Sequence, residues 1–216
     1  MPIRVFLADD HAVLRDGMRS LLEEQGDIVV VGDAPNGRLA VQQAQQLAPD
    51  VVVMDIAMPE LNGIDAARQI REVSPATQVV ILSMYSTTEH IRHALEAGVK
   101  GYLLKEAAGT EVVDAVRAVH AGRRYLCKKI TEAVVDDYVL QHTADQVEDP
   151  LARLSARERE ILQLVAEGKT SAQIAKALHI SPHTVATYRS RLMRKLGVGD
   201  VAGLGKFAIQ HGLTPE

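Results

Sequence analysis

Two hydrophobic patterns alternate along the first 121 residues. Short apolar runs, typical of strands buried on both faces, occur at 3–8, 29–31, 51–54, 79–82 and 101–104. Apolar positions with the helical period occur between and after them, at 12–25, 37–47, 64–73, 88–97 and 109–121. Strands that alternate with helices need right-handed crossovers, so the pattern predicts an α/β domain with a doubly wound, five-stranded parallel sheet.

Beyond residue 121 the pattern contains helices only. Residues 128–140 are predicted to form a helix, and the polar segment HTADQVEDP follows it, so we interpret 122–150 as a partly helical acidic linker. Residues 151–216 contain closely spaced helix-start signals and predict a second, all-α domain of about four helices. These signals are Ser155 with Glu158, Thr170 with Gln173, and Ser181 followed by Pro182.

Composition excludes several classes of protein. The apolar runs are far shorter than the roughly 18 residues of a membrane span, and the N-terminus lacks the apolar stretch of a signal peptide. We therefore expect a cytoplasmic protein that does not contact a membrane. A single cysteine, Cys127, excludes an internal disulfide and a cysteine-based zinc site.

Charge is distributed unevenly along the chain. Residues 1–126 hold 12 Lys and Arg against 17 Asp and Glu, whereas residues 153–216 hold 10 against 5. A basic module on an acidic chain indicates a polyanionic partner, such as nucleic acid, for that module alone.

Three carboxylates are expected to meet at one edge of the sheet. A doubly wound sheet binds ligands at the carboxyl ends of its strands, where the strand order reverses between the first and third strands. Asp9 and Asp10 end the first predicted strand, and Asp55 ends the third. Carboxylates so close together require a cation, and all-oxygen ligation suits Mg²⁺. Ser83 and Lys105, after the fourth and fifth strands, could hold phosphoryl oxygens, which makes Asp55 a candidate nucleophile for an aspartyl phosphate.

Residues 1 to about 121 resemble the receiver domain of two-component response regulators, which has a flavodoxin-like fold. The matching segments are FLADDH, VVVMDIAMPELNG, VVILSMYS and GYLLKE. The resemblance implies that Asp55 is the phospho-acceptor and that Asp10 ligates Mg²⁺ directly, while Asp9 helps through water. The main-chain carbonyl of Ala57 would be the third protein ligand.

The resemblance also implies a conformational switch. Ser83 and Tyr102 would form the switch pair, the ring of Tyr102 turning inward as the Ser83 hydroxyl moves onto the phosphoryl group. Lys105 would contact the phosphoryl group, and Glu106 replaces the proline that the family often has after this lysine.

The predicted helix at 182–196 carries four cations and no acid. Such a helix can enter the major groove, with its N-terminal residues at base edges and its arginines on phosphates. Residues 151–216 resemble the LuxR-type helix-turn-helix that ends response regulators of the NarL/FixJ family, through L-S-x-R-E-R-E-I-L, I-A-x-x-L-x-I-S, T-V and R-K-L-G. Ala186 and Tyr188 depart from the family pattern, so we expect a different base preference.

Helix geometry assigns candidate contacts with DNA. The expected base-edge contacts are His183, Ala186, Thr187 and Ser190. The expected phosphate contacts are Ser171, Arg191, Arg194 and Lys195.

The resemblance implies a transcription regulator. A sensor histidine kinase would phosphorylate Asp55, and the basic domain would bind promoter DNA. Phosphorylation would either promote a homodimer or release the helix-turn-helix from an inhibitory contact with the receiver. The last helix, 200–210, is the expected dimer surface of the DNA-binding domain. Apart from weak self-dephosphorylation, no enzymatic activity is expected.

The same residues disfavour two other functions. A haloacid-dehalogenase-type phosphatase would need a second aspartate where Ala57 stands, and a nucleotide binder would need a glycine-rich loop after the first strand. A phosphorylation-independent DNA-binding regulator with a degenerate receiver remains an alternative.

Overall fold

A computed structural model describes residues 1–141, 150–151 and 153–213. The chain forms two compact units, Met1–Asp145 and Gln146–Glu216. Among the described residues, no helix is long and apolar enough to cross a membrane.

The first unit contains a parallel sheet of six strands in the order β2-β1-β3-β4-β5-β6. Its order reverses between β1 and β3, as the doubly wound prediction requires. All five residues of β3 are buried, as expected for a central strand covered on both faces. The strands are β1 (Ile3–Ala8), β2 (Ile28–Ala34), β3 (Val51–Asp55), β4 (Gln78–Ser83), β5 (Gly101–Leu104) and β6 (Tyr125–Leu126).

The predicted helices connect the first five strands and lead away from β5. Asn36 and Asn62 cap two of them, each accepting a hydrogen bond from a backbone N–H of the first turn. A 3₁₀ turn at Lys105–Ala107 precedes the fifth helix. The helices are α1 (Ala12–Glu23), α2 (Gly37–Leu47), α3 (Gly63–Val73), α4 (Thr88–Glu96) and α5 (Ala108–His120).

The prediction of five strands, with none after residue 121, was wrong. β6 pairs in parallel with β5, and the N–H of Cys127 donates to the carbonyl of Tyr102 at 3.2 Å. Two residues are too short a run to show a strand period, which is why the sequence pattern does not reveal β6. Helix α6 (Lys128–Gln141) starts directly after it, and Cys127 and Ile130 are buried in the core of this unit. The acidic residues 142–149 of the predicted linker lie outside the described residues.

The second unit has the four helices that the sequence predicts. Capping boxes start the first two, and Ser181 followed by Pro182 starts the third. His179, in the turn between the second and third helices, adopts a left-handed backbone with φ 53°. The helices are α7 (Ala156–Ala166), α8 (Ser171–Leu178), α9 (Pro182–Leu196) and α10 (Val201–Gln210).

Gly63 holds the segment after β3 close to α3. A Cβ at this position would clash with the carbonyl oxygen of Asp55. We therefore expect Gly63→Ala to lower the free energy of unfolding by about 2 kcal/mol, because the backbone must shift. Gly17 in α1 faces open space, so Gly17→Ala is the matched control and should raise stability by about 0.5 kcal/mol. Urea unfolding of both variants tests this, and equal effects would contradict it.

Glu158, which is buried on α7, forms an ion pair with the exposed Lys195 of α9. Its Oε2 lies 2.7 Å from Lys195 Nζ and also accepts the N–H of Ser155 at 2.9 Å. Burial alone would raise the pKa of Glu158, but these hydrogen bonds outweigh it and hold the pKa below its ordinary value of 4.5.

This lowered pKa predicts a loss of stability in acid. Since the folded-state pKa lies below the unfolded one, the stabilisation is complete above about pH 4.5 and is lost as the pH falls through the folded value. At pH 7, Glu158→Gln should lower the free energy of unfolding by about 2 kcal/mol while keeping the helix cap. The difference from wild type should shrink below pH 4.5. Urea unfolding, followed through the amide resonances of α7 and α9, measures this difference in the free energy of unfolding. A difference that stays constant as the pH falls would show that the ion pair does not cause it.

Candidate functional site

The three aspartates expected to converge do so at the carboxyl ends of neighbouring strands. Asp9 follows β1, Asp55 is the last residue of β3, and the residues before them, Ala8 and Met54, are paired in register. Asp9 and Asp55 are buried, whereas Asp10 is exposed. The arrangement thus provides two buried carboxylates and one at the surface.

Lys105 lies between the two buried carboxylates. Its Nζ donates to Asp55 Oδ2 at 2.7 Å and lies 2.8 Å from Asp9 Oδ2. Burial raises the pKa of Asp55, and the hydrogen bond from Lys105 opposes this effect. Burial would lower the pKa of Lys105, but its contacts with Asp55 and Asp9 outweigh burial and raise it. The lysine therefore keeps its positive charge within the cluster.

The cluster has the donor chemistry of a divalent cation site. Oxygen or nitrogen atoms of Asp9, Asp10, His11 and Asp55 all lie within 4.8 Å of one another. The buried Asp9 Oδ2 has no well-aligned hydrogen bond, although Lys105 is near, so it can still ligate. Carboxylates of this kind suit Mg²⁺.

His11 was missed in the sequence analysis. Its Nδ1 lies 2.7 Å from Asp10 Oδ1 and 3.2 Å from Asp9 Oδ1. The signal was its position directly after the acidic pair in FLADDH. His11 occupies the N-cap position of α1, although its side chain makes no hydrogen bond with the first turn.

Ser83 and Tyr102 are connected through Tyr85, which was also missed although it stands two residues after Ser83. The N–H of Tyr85 donates to Ser83 Oγ at 2.9 Å, and the Tyr102 hydroxyl donates to the Tyr85 carbonyl at 2.9 Å. The Tyr102 side chain is fully buried, so the structure describes the inward position of the expected switch. Burial also raises the pKa of Tyr102.

One face of α9 is polar and cationic. Arg191 lies over the ring of Tyr188, 5.7 Å from its centroid, and the buried Val185 and Leu192 fix the opposite face in the core. Of the expected DNA contacts, only Ser171 on α8 is half-buried. The exposed ones are His183, Ala186, Thr187, Ser190, Arg191, Arg194 and Lys195.

Two cations of α9 have partners within the second unit. Arg189 Nη2 donates to the carbonyl of Lys169 at 2.8 Å, and Lys195 forms the ion pair with Glu158. Lys195 lies at the flank of the exposed face. Arg191 and Arg194 are therefore the arginines of this helix that face solvent.

Comparison with known proteins confirms both family resemblances found in the sequence. Residues 5–117 match the family described as response regulator receiver domain, and residues 152–208 match the bacterial regulatory proteins of the luxR family. The chain is 38% identical over 214 residues to the uncharacterized transcriptional regulatory protein YhcZ of Bacillus subtilis, covering 99% of both chains.

Two further similarities cover nearly the whole chain. The oxygen regulatory protein NreC of Staphylococcus carnosus is 37% identical over 98% of this chain and 99% of its own. A solved complex of the two-component response regulator RcsB with DNA has a TM-score of 0.59 and 26% identity, covering 96% of this chain and 98% of that one.

Proposed function

Because the chain belongs to the response regulators that join a receiver domain to a LuxR-type DNA-binding domain, we propose that phosphorylation of Asp55 controls its binding to promoter DNA. The observation that carries this proposal is the contact of Lys105 with the buried Asp55 and Asp9. A sensor histidine kinase supplies the phosphoryl group. Since both the kinase's donor domain and the DNA are cytoplasmic, the protein acts in the cytoplasm.

The chemistry follows from the positions of these side chains. A carboxylate oxygen of Asp55 attacks the phosphorus of a phosphohistidine, the P–N bond breaks, and the imidazole leaves. The Lys105 ammonium then donates charge-assisted hydrogen bonds to the phosphoryl oxygens. A Mg²⁺ ion held by Asp9, Asp10, Asp55 and the main-chain carbonyl of Ala57 would supply further charge neutralisation.

The phosphoryl group then acts on the switch pair. It adds a charge of about −2 and new acceptor oxygens at Asp55. The Ser83 hydroxyl, which accepts from the Tyr85 N–H, donates its own hydrogen to a phosphoryl oxygen. The inward Tyr102 is favoured because its hydroxyl donates to the Tyr85 carbonyl. The equilibrium between two conformations of this loop is thereby shifted.

The DNA-binding face is the exposed side of α9 together with the start of α8. His183, Ala186, Thr187 and Ser190 read base edges, while Ser171, Arg191, Arg194 and Lys195 contact phosphates. Phosphorylation promotes a homodimer through α10, which places two recognition helices on a two-fold operator. Beyond weak self-dephosphorylation, for which the small Ala57 leaves room for water, the protein is not an enzyme.

The test combines intact mass with gel filtration. We expect the wild-type protein, incubated with Mg²⁺ and a small phosphodonor, to gain one labile phosphoryl group and to elute as a dimer. A parallel sample with a metal chelator should gain none. The absence of an adduct with a range of donors would overturn the proposal and favour a regulator that binds DNA independently of phosphorylation.

A further inference from the structure

A cavity lies at the end of the sheet opposite to the acidic cluster. It has a volume of about 370 Å³ and lies where β4 begins, at Gln78 and Val79, and just before β5, at Lys100. Asp55 stands at the other, carboxyl end of the strands. The cavity is therefore separate from the phosphorylation site, and its size is within the range of small-molecule pockets.

The charge of this cavity is positive and uncompensated. Arg71, Lys100 and Arg124 line it, and its lining includes no acidic side chain. In the part of the chain that the structure describes, these three side chains make no hydrogen bond or ion pair. Several other arginines of the same unit are paired, as Arg117 is with Asp27 at 2.8 Å. Arg71 and Arg124 are exposed at the mouth of the cavity and Lys100 is half-buried, so the three unpaired cations favour an anionic ligand that enters from solvent.

The partial negative charges at the carboxyl ends of two neighbouring helices do not neutralise the three cations. α3 ends at Val73 and α4 at Glu96, and the residues that follow each helix line the cavity. The carboxyl end of a helix carries about half a negative charge, so two ends would balance only about one of the cations. An excess of about two positive charges remains, which matches a dianion.

The shape of the cavity depends on Gly98. Its backbone has a φ of 88°, and an added Cβ would lie 2.6 Å from Arg71 Nη1, so the guanidinium rests against the bare Cα. Ala67, Leu95 and Val99 supply an apolar lining beside the cations. A ligand can therefore place a carbon skeleton on the apolar lining and its acidic groups on the cations.

From these observations we propose that the cavity between α3 and α4 binds a small organic polyanion, with two or more phosphate or carboxylate groups. Arg71 and Arg124 would hold these groups through charge-assisted hydrogen bonds, and Lys100 would add a point charge. This function lies outside phosphoryl transfer and DNA binding, since none of these residues takes part in either.

The test uses the full chain labelled with ¹⁵N and two probes, pyrophosphate and citrate, titrated without Mg²⁺. We expect saturable shifts of the amide resonances of Gly98, Val99 and Lys100. The double variant Arg71→Gln, Arg124→Gln should weaken binding by about tenfold or more. The matched control, Lys169→Gln with Lys176→Gln, removes two exposed cations from the second unit and should leave the affinity unchanged.

Each outcome decides the proposal. Saturation by pyrophosphate alone, by citrate alone or by both supports it and assigns the ligand to phosphates, carboxylates or either. The proposal would be overturned by shifts that stay linear with probe concentration or by shifts confined to α9. Equal affinity in the wild type and in the Arg71→Gln, Arg124→Gln variant would also overturn it. An acidic peptide that displaces both probes at lower concentration would also overturn it, in favour of a protein partner.

Discussion

An Asp55→Asn variant should gain no phosphoryl group under conditions in which the wild type gains one. Asparagine keeps the volume of the side chain and its place at the end of β3, but its amide is not a nucleophile toward phosphorus. The stimulation of DNA binding by phosphodonor should disappear with the adduct, whereas basal binding remains. The loss is expected to be complete because the proposal assigns the neighbouring buried carboxylate, Asp9, to the cation and not to the phosphoryl group.

Intact mass and DNA binding are measured on the same samples of this variant. The matched control is Asp16→Asn, which removes an exposed carboxylate from α1 and should behave as wild type. Asp10→Asn should retain the acceptor but need more Mg²⁺, because it loses one metal ligand and keeps the nucleophile. One labile phosphoryl group on Asp55→Asn would place the acceptor elsewhere.

The second large effect concerns DNA affinity. The double variant Arg191→Gln, Arg194→Gln should weaken binding by about 100-fold or more, since two charge-assisted contacts to phosphates are lost. The slope of log affinity against log salt should decrease by about 2, close to one for each phosphate contact. Both arginines are exposed on α9, so the fold should be unaffected.

The measurement uses a duplex that the wild-type protein has enriched from random sequence, titrated at several salt concentrations. The control, Arg123→Gln with Lys128→Gln, changes net charge equally on exposed residues of the first unit and should keep the wild-type slope. His183→Ala should instead relax sequence preference without changing the slope, because a base contact releases no counterions. If the arginine variant keeps the wild-type slope, neither arginine contacts the DNA phosphates.

The sequence predicted most of the fold because its periods are long and consistent. Strands β1 and β5 were predicted with the bounds they have, and the convergence of Asp9 and Asp55 follows from any parallel sheet whose order reverses between β1 and β3. β6 was not predicted because a run of two residues is too short to show the alternating pattern of a strand.

Contacts that depend on loop geometry could not be predicted. The position of Tyr85 between Ser83 and Tyr102 is set by the turn after β4, and no sequence pattern encodes it. The pairing of Lys195 with Glu158 joins residues 37 positions apart, and a helical period shows only that Lys195 lies near the edge of a face. Sequence therefore indicated the chemistry of both sites better than the partners of individual side chains.

The pairing of β6 with β5 also determines where the chain can be cut. A fragment ending at residue 121, where the apolar strand–helix alternation ends, would lose β6 and leave β5 as an open edge strand. Its Gly101–Leu104 segment is entirely buried, so the fragment would present apolar, unpaired backbone to other molecules and tend to aggregate. An isolated receiver for biophysical work should therefore extend through α6, which keeps Cys127 and Ile130 in the core.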